Sequence, residues 1–252
     1  MNGREFLNRL LSRYGYFLDK EHPSVLVANA RWQPTMRYLI EHEIFRLRDD
    51  FIFVQIGAND GVSRKDDLVT YVREYGVRGI LVEPQRDVFK QLQENFRDFS
   101  SVRLVNRAIH ATARSLPIYK LDTELVAGNH SLPSWARTNG IASFSREHVL
   151  AHARRAGLDE GAVLEEQVEC ITLAELFREY DLSHVGLLKV DTEGYDYAVL
   201  KTLDLDKVKP RLIRFEHLHM KAGELDDLLG HLITRGYQII YDHNDTIAIL
   251  DN

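Results

Sequence analysis

The sequence predicts an α/β fold: a mostly parallel, seven-stranded sheet with helices on both faces and an antiparallel hairpin at its carboxyl end. Three observations carry this. From residue 51 onward, short apolar runs alternate with amphipathic stretches, as parallel strands joined by crossover helices require. The first run, Phe51-Ile52-Phe53-Val54-Gln55-Ile56, breaks into a turn with glycines at 57 and 61, so strand, glycine turn and helix follow in order. The last two runs, 237–241 and 246–250, are joined only by Asp242-His243-Asn244-Asp245, a link short enough to require antiparallel strands.

The 252 residues suit one large α/β domain, divided into a helical amino-terminal arm over 1–50 and a main domain over 51–252 with an insertion at 122–167. In the arm, Phe6, Leu7, Leu10, Leu11 and Tyr14 follow helical spacing, as do Met36, Leu39, Ile40 and Ile44 after a break at Gly15. These helices are expected to cover the sheet edge or lid the active site, and their apolar face is suited to pairing subunits.

Net charge is −6, with 38 acids against 32 Lys plus Arg and no basic run or basic half. That pattern argues against nucleic acid as partner, because phosphate neutralisation needs a concentrated cationic face. Cys170 is the single cysteine, so no intramolecular disulfide forms, and it is expected as buried filler in a strand. With no signal peptide and no segment apolar enough to span a bilayer, a soluble cytoplasmic protein is expected.

The apolar positions 68, 71, 72 and 75 predict a helix over 66–75, with Asp66 and Asp67 in its first turn where the helix dipole favours acids. Gly79 to Val82 is the second strand. Val88, Phe89, Leu92 and Phe96 mark the next helix, and 102–105 the third strand. Leu116-Pro117-Ile118-Tyr119 is placed as a short edge strand on account of its proline. The stretch 122–167 lacks a core pattern and is expected to be an irregular, substrate-facing loop holding one helix over 145–156 stopped by Gly157. Thr172 and Glu175 have capping-box spacing. A fourth strand at 185–190 ends in Asp191-Thr192-Glu193-Gly194. A helix at 197–203 leads to a fifth strand at 212–215, which ends in Glu216-His217-Leu218-His219. The last helix carries Leu225, Leu228, Leu229, Leu232 and Ile233, with Gly236 as its stop.

The first two strands have the form of a nucleotide-binding β-α-β unit, whose second strand should end in a carboxylate for a ribose diol. Glu83, followed by Pro84, stands there, about 20 residues after the glycine turn as the fingerprint asks. A dinucleotide fingerprint starting at Gly57 would want glycine at 59 and a small residue at 62, where the chain has Asn59 and Val62. The terminal hairpin also separates this layout from dehydrogenase domains, which continue in parallel units. It is the usual arrangement of Rossmann-like S-adenosylmethionine methyltransferases. An NAD-linked oxidoreductase is therefore disfavoured. A domain that binds the nucleoside without chemistry is the other alternative, and the acids and histidine at the strand ends count against it.

VQIGANDG at 54–61, VEPQ at 82–85, LKVDTEG at 188–194 and FEH at 215–217, in this order and spacing, resemble the FkbM family of methyltransferases. The resemblance covers residues from about 51 to the end. It implies a class I methyltransferase fold, S-adenosylmethionine as donor, and a hydroxyl acceptor on a sugar or small natural product. Gln55 departs from the acid that many methyltransferases place beneath the donor's amino group.

On this reading Gly57, Ala58, Asn59 and Gly61 shape the methionine side of the donor pocket, with Asp191 nearby. Glu83 and Pro84 hold the ribose, and Asn106 and Ala108 lie on the adenine side. Asp191, Glu193, Glu216 and His217 should converge at the carboxyl edge of the sheet, where open α/β sheets bind ligands. Three arrangements stay open. Asp191, Glu216 and His217 could hold Mg²⁺ or Mn²⁺. Without a metal, His217 or Asp191 would be the general base, with Glu193 beside them. In the third arrangement the acids cap helices and pair with Lys189 or Arg214. Trp135, Ser143 and Phe144 are candidates for the acceptor pocket. His130, His148 and His219 are expected as solvated loop histidines.

Overall fold

The structure is a computed structural model, and it describes residues 16–18, 26–28, 33–62, 68–126, 141–242 and 244–251. The readings placed on the helix at 6–14, on Asp66 and Asp67, and on His130 and Trp135 lie outside the described residues.

Among the described residues, the core of the fold is a sheet of nine strands. Five are parallel: β3 (Ile52–Ile56), β4 (Arg78–Val82), β5 (Val102–Val105), β10 (Leu187–Val190) and β11 (Leu212–Glu216). The hairpin of β12 (Tyr237–Asp242) and β13 (Asp245–Leu250) completes the seven expected strands, with β13 antiparallel to β11. Two further strands, β1 (Tyr16–Leu18) and β2 (Leu26–Ala28), extend the edge, giving the order β1-β2-β12-β13-β11-β10-β3-β4-β5. These two strands correct the all-helical reading of residues 1–50. Each is three residues long and held by pairing to its neighbours, a signal too short for side-chain periodicity to reveal.

Strand registers align the functional edge. Ile56 lies beside Val190 and Val82, and Val190 beside Phe215, so β3, β4, β10 and β11 end level with one another. Side chains alternate between two buried layers. Val54, Ile56, Leu188, Val190, Ile213 and Phe215 face the layer that includes Leu225 and Leu228 of α8 (Ala222–Ile233). Phe51, Phe53, Leu81 and Leu187 face the layer that holds Met36, Ile40 and Ile44 of α1 (Gln33–Leu47), Tyr71 of α2 (Leu68–Tyr75), and Leu92 and Phe96 of α3 (Arg86–Phe96). The expected arm residues Met36, Ile40 and Ile44 thus cover the sheet, while Tyr38 and Phe45 on the same helix are exposed.

The described part of the insertion is ordered, which corrects its reading as an irregular loop. A second sheet has the order β6-β9-β7-β8, with β6 at Ala108–Ile109, β7 at Ser115–Leu121, β8 at Ala142–Ser143 and β9 at Val163–Ile171. Leu121, Val126, Ile141, Val149 and Ala153 form its own small core with α5 (Arg146–Arg155), after the short helical turn α4 (Thr123–Val126). Residues 116–119 therefore belong to this sheet and not to the edge of the main one. Pro117 is accommodated because β8 pairs only with Tyr119 and Lys120, leaving β7 an edge at that point. Cys170 is buried beside Ile118 and Val168, and burial raises its thiol pKa, so it is filler as expected. The capping box of Thr172 and Glu175 opens α6 (Leu173–Glu179). Among the described residues no helix is long and apolar enough to cross a membrane.

Candidate functional site

A cleft opens at the carboxyl edge of β3, β4 and β10 and is walled on its far side by residues of the second sheet. Of the residues expected to bind a donor, Gly57, Ala58, Asn59, Glu83, Pro84, Ala108 and Asp191 line it, joined by Ser143, Phe144 and Glu193 from the acceptor and catalytic sets.

The glycine turn is stitched to β4 by backbone. Gly57 and Ala58 both donate to the carbonyl of Val82 at 3.0 Å, and Asp191 donates to the carbonyl of Ile56 at 2.9 Å. Gly57 has φ +78, and a Cβ there would lie 1.8 Å from the carbonyl oxygen of Asp191. Its glycine is thus required by the approach of two strand ends, which in turn sets the shape of the cleft. Gly61 does not line the cleft. A Cβ on it would meet Phe96 Cε2 at 2.4 Å and Leu92 Cδ1 at 2.7 Å, so it serves the packing of α3 against the turn.

Glu83 is buried, with relative exposure of 3 %. Its Oε2 accepts the backbone N–H of Asn59 and its Oε1 that of Gln85, each at 2.9 Å. Burial pushes its pKa up to about 7 against the opposing pull of those N–H groups. Asn106 also falls outside the lining. Its Nδ2 donates to the carbonyls of Glu83 at 2.8 Å and Pro84 at 3.0 Å, which makes it a brace for the loop after β4. Ala108, Ile109, Ile118 and Val82 supply an apolar wall beside it.

The loop after β10 carries the acids. Glu193 is a non-glycine residue at φ 51, followed by Gly194 at φ 97. Ser143 Oγ donates to the carbonyl of Glu193 at 3.1 Å, tying the insertion to this loop. Phe144 meets Tyr195 edge to face at 5.0 Å, and Tyr195 stacks on His110 at 5.7 Å. Asp196, at the start of α7 (Asp196–Lys201), was missed by sequence reasoning and is the knot of this loop. Its Oδ2 accepts from the Thr192 N–H at 3.1 Å and hydroxyl at 2.8 Å, and its Oδ1 accepts the N–H of Glu216 at 3.3 Å. Burial, then the charge of Asp191, raises its pKa to about 7. An acid at the head of an otherwise apolar helical stretch, directly after a glycine turn, was the available signal.

The predicted gathering of Asp191, Glu216 and His217 is not formed. His217 is buried against the terminal hairpin, its Nδ1 3.0 Å from Thr246 Oγ1 and its ring edge-on to Tyr241. Glu216 and His217 are consecutive at a strand end, and consecutive side chains leave a strand on opposite faces. His217 does not line the cleft and, among the described residues, joins no cluster with metal-ligand spacing. Arg214 pairs with Asp245 at 2.7 Å. Glu216 is held near the cleft side with its pKa raised to about 9, by burial first and then by Asp191, Glu193, Asp196 and Asp245.

Among the described residues, the side chains that do converge with metal-ligand spacing are His148, Glu193 and His219. His148 and His219, expected as solvated, are drawn together by the folding of α5 over the strand ends. Burial first, then neighbouring His219, His152 and Arg155, lowers the pKa of His148 to about 4. Two imidazoles do not suit Mg²⁺, which prefers oxygen ligands.

The methyltransferase FkbM domain matches residues 55–239. No curated protein sequence matches the chain significantly. Similar solved structures include the precorrin-6y C5,15-methyltransferase of Geobacter metallireducens, 12% identical over 86% of this chain and 88% of that one, with TM-score 0.43. The N-terminal domain of human METTL16 in complex with SAH is 11% identical over 99% and 82% of the two chains, with TM-score 0.44. An RNA methyltransferase of Salinibacter ruber in complex with S-adenosyl-L-homocysteine is 11% identical over 87% and 93%, with TM-score 0.36. The FkbM match spans both strand-end motifs that build the cleft, and this chain belongs to the FkbM methyltransferase family.

Proposed function

We propose that the chain is an S-adenosylmethionine-dependent O-methyltransferase whose acceptor is a hydroxyl on a sugar or small natural product. The observation that carries the donor reading is Glu83: a buried carboxylate pinned by two backbone amides at the rim of the cleft. Such a group is an acceptor fixed in place for the two donating hydroxyls of a ribose. The fit extends to either side of it. Ala108, Ile109 and Ile118 offer an apolar slot for a flat base, and the Gly57–Asn59 turn with Asp191 faces the polar end.

When bound, S-adenosylmethionine supplies an electrophilic methyl group on a sulfonium. The residues of this chain hold the partners in line, and such positioning alone is worth up to roughly 7–11 kcal/mol. Ser143, Phe144 and Tyr195 line the cleft and are assigned to the acceptor side. Asp191, which lines the cleft with Glu193, is assigned to take the hydroxyl proton as the acceptor oxygen gains the methyl carbon and the sulfonium's bond to it breaks.

Transfer of labelled methyl from S-adenosylmethionine to a panel of glycosides and hydroxylated small molecules, with mixed RNA as the competing class, tests the acceptor. Label in the small molecules supports the proposal. Label in RNA alone would overturn the acceptor assignment.

A further inference from the structure

We propose that His148, Glu193 and His219 form a site for one divalent transition-metal cation, of the Zn²⁺ or Mn²⁺ class, at the acceptor end of the cleft. The three residues come from separate elements: the first turn of α5, the loop after β10 and the loop after β11. One ligand atom from each lies within 4.8 Å of the others. Metal–nitrogen and metal–oxygen bonds of ~2.0–2.2 Å would bring those atoms to roughly 3.3 Å apart, a closure within the reach of side-chain rotation.

A second observation, independent of this spacing, points to a ligand. His148 Nε2 is buried and has no hydrogen-bond partner among the described residues. A buried imidazole nitrogen is normally satisfied, and here the neighbouring rings of His219 and His152, with centroids each at 4.9 Å, offer contact without a hydrogen bond. Glu216 Oε2 is also buried without a hydrogen-bond partner and lies 3.7 Å from His219 Nε2, beside the cluster. Glu193 is presented from a left-handed backbone conformation that a non-glycine residue rarely holds, and such conformations cluster at functional sites. The bond from Ser143 to the Glu193 carbonyl fixes that presentation.

Two imidazoles with carboxylate select first-row transition ions over Mg²⁺ and Ca²⁺. Glu193 lines the cleft, so a cation here would polarise an acceptor hydroxyl. That role rests on the methyl-transfer reading; the binding of the ion does not.

Untagged, chelator-stripped full-length protein titrated calorimetrically with Zn²⁺, and in parallel with Mg²⁺, tests the site, beside titrations with S-adenosylhomocysteine. The expected result is uptake of one Zn²⁺ per chain without comparable Mg²⁺ binding. His148→Ala and His219→Ala should each weaken Zn²⁺ by at least the ~10–100-fold that losing even an outer partner costs, while S-adenosylhomocysteine affinity is retained. Retained S-adenosylhomocysteine binding also reports that each variant is folded. Absence of stoichiometric Zn²⁺ uptake by the wild type, Mg²⁺ binding as tight, or uptake that survives either substitution would overturn the site. Failure of the wild type to bind S-adenosylhomocysteine would instead remove the methyl-transfer reading.

Discussion

The carboxylate of Glu83 accepts the backbone N–H of Asn59 at 2.9 Å, so the end of β4 and the turn after β3 are held as one rigid rim. Because that carboxylate is buried, its pKa lies at about 7 in the folded chain, above the 4.5 ordinary for a glutamate carboxyl. Between those two values the folded state keeps a proton that the unfolded state has released, so stability falls as pH rises through the window and is level above it. The difference corresponds to about 3 kcal/mol. Denaturant melts of wild type and Glu83→Gln from pH 4 to pH 8 should diverge in slope across that window, with the variant flatter.

The same ionisation governs the ligand. A ribose diol donates hydrogen bonds, and an ionised carboxylate accepts them more strongly than a neutral acid. Affinity for S-adenosylhomocysteine is expected to rise between pH 6 and pH 8, and this dependence should vanish in Glu83→Gln.

Gly57 and Gly61 should separate cleanly. Gly57→Ala drives a methyl group into the carbonyl of Asp191, displacing the acid loop from the rim, so donor affinity falls by at least ~10-fold. Gly61→Ala meets Phe96 and Leu92, away from the cleft, and should lower thermal stability by roughly 1–3 kcal/mol with donor affinity retained if the chain folds. Calorimetry of both variants with S-adenosylhomocysteine reads the contrast.

His217 and Asp196 are expected to behave as structural groups. His217→Ala leaves Thr246 without its buried partner, at a cost of roughly 1–3 kcal/mol, and melting by circular dichroism should show it without loss of donor binding. Asp196→Ala strips acceptors from Thr192 and the Glu216 amide, and a fall in Tm of ~4–8 °C is expected for a loss of about 2 kcal/mol.

The strands that carry the site were legible because buried parallel strands announce themselves as apolar runs, and their ends as glycines and acids. Glu83 was found this way, since one position at a strand end is enough to place it. What spacing could not supply was direction. Glu216 and His217 look like a pair in the sequence, but neighbours on a strand diverge, and His217 turns into the hairpin. Gly61 reads like Gly57, yet one faces a helix and the other a strand end. The partnership of His148 with His219 joins residues some seventy positions apart through α5, inside a stretch whose core alternates too weakly to read. Asp196 hid for a related reason: its partners are backbone amides, which leave no trace in composition.

The central claim is that Glu83 anchors the donor. Calorimetric titration of S-adenosylhomocysteine into wild type and Glu83→Ala, at pH 8 with NAD as the control ligand, measures it directly. Binding to the wild type, a loss of at least ~10-fold in the variant, and no comparable binding of NAD are expected. Equal affinity in the two proteins, or a preference for NAD, would contradict it.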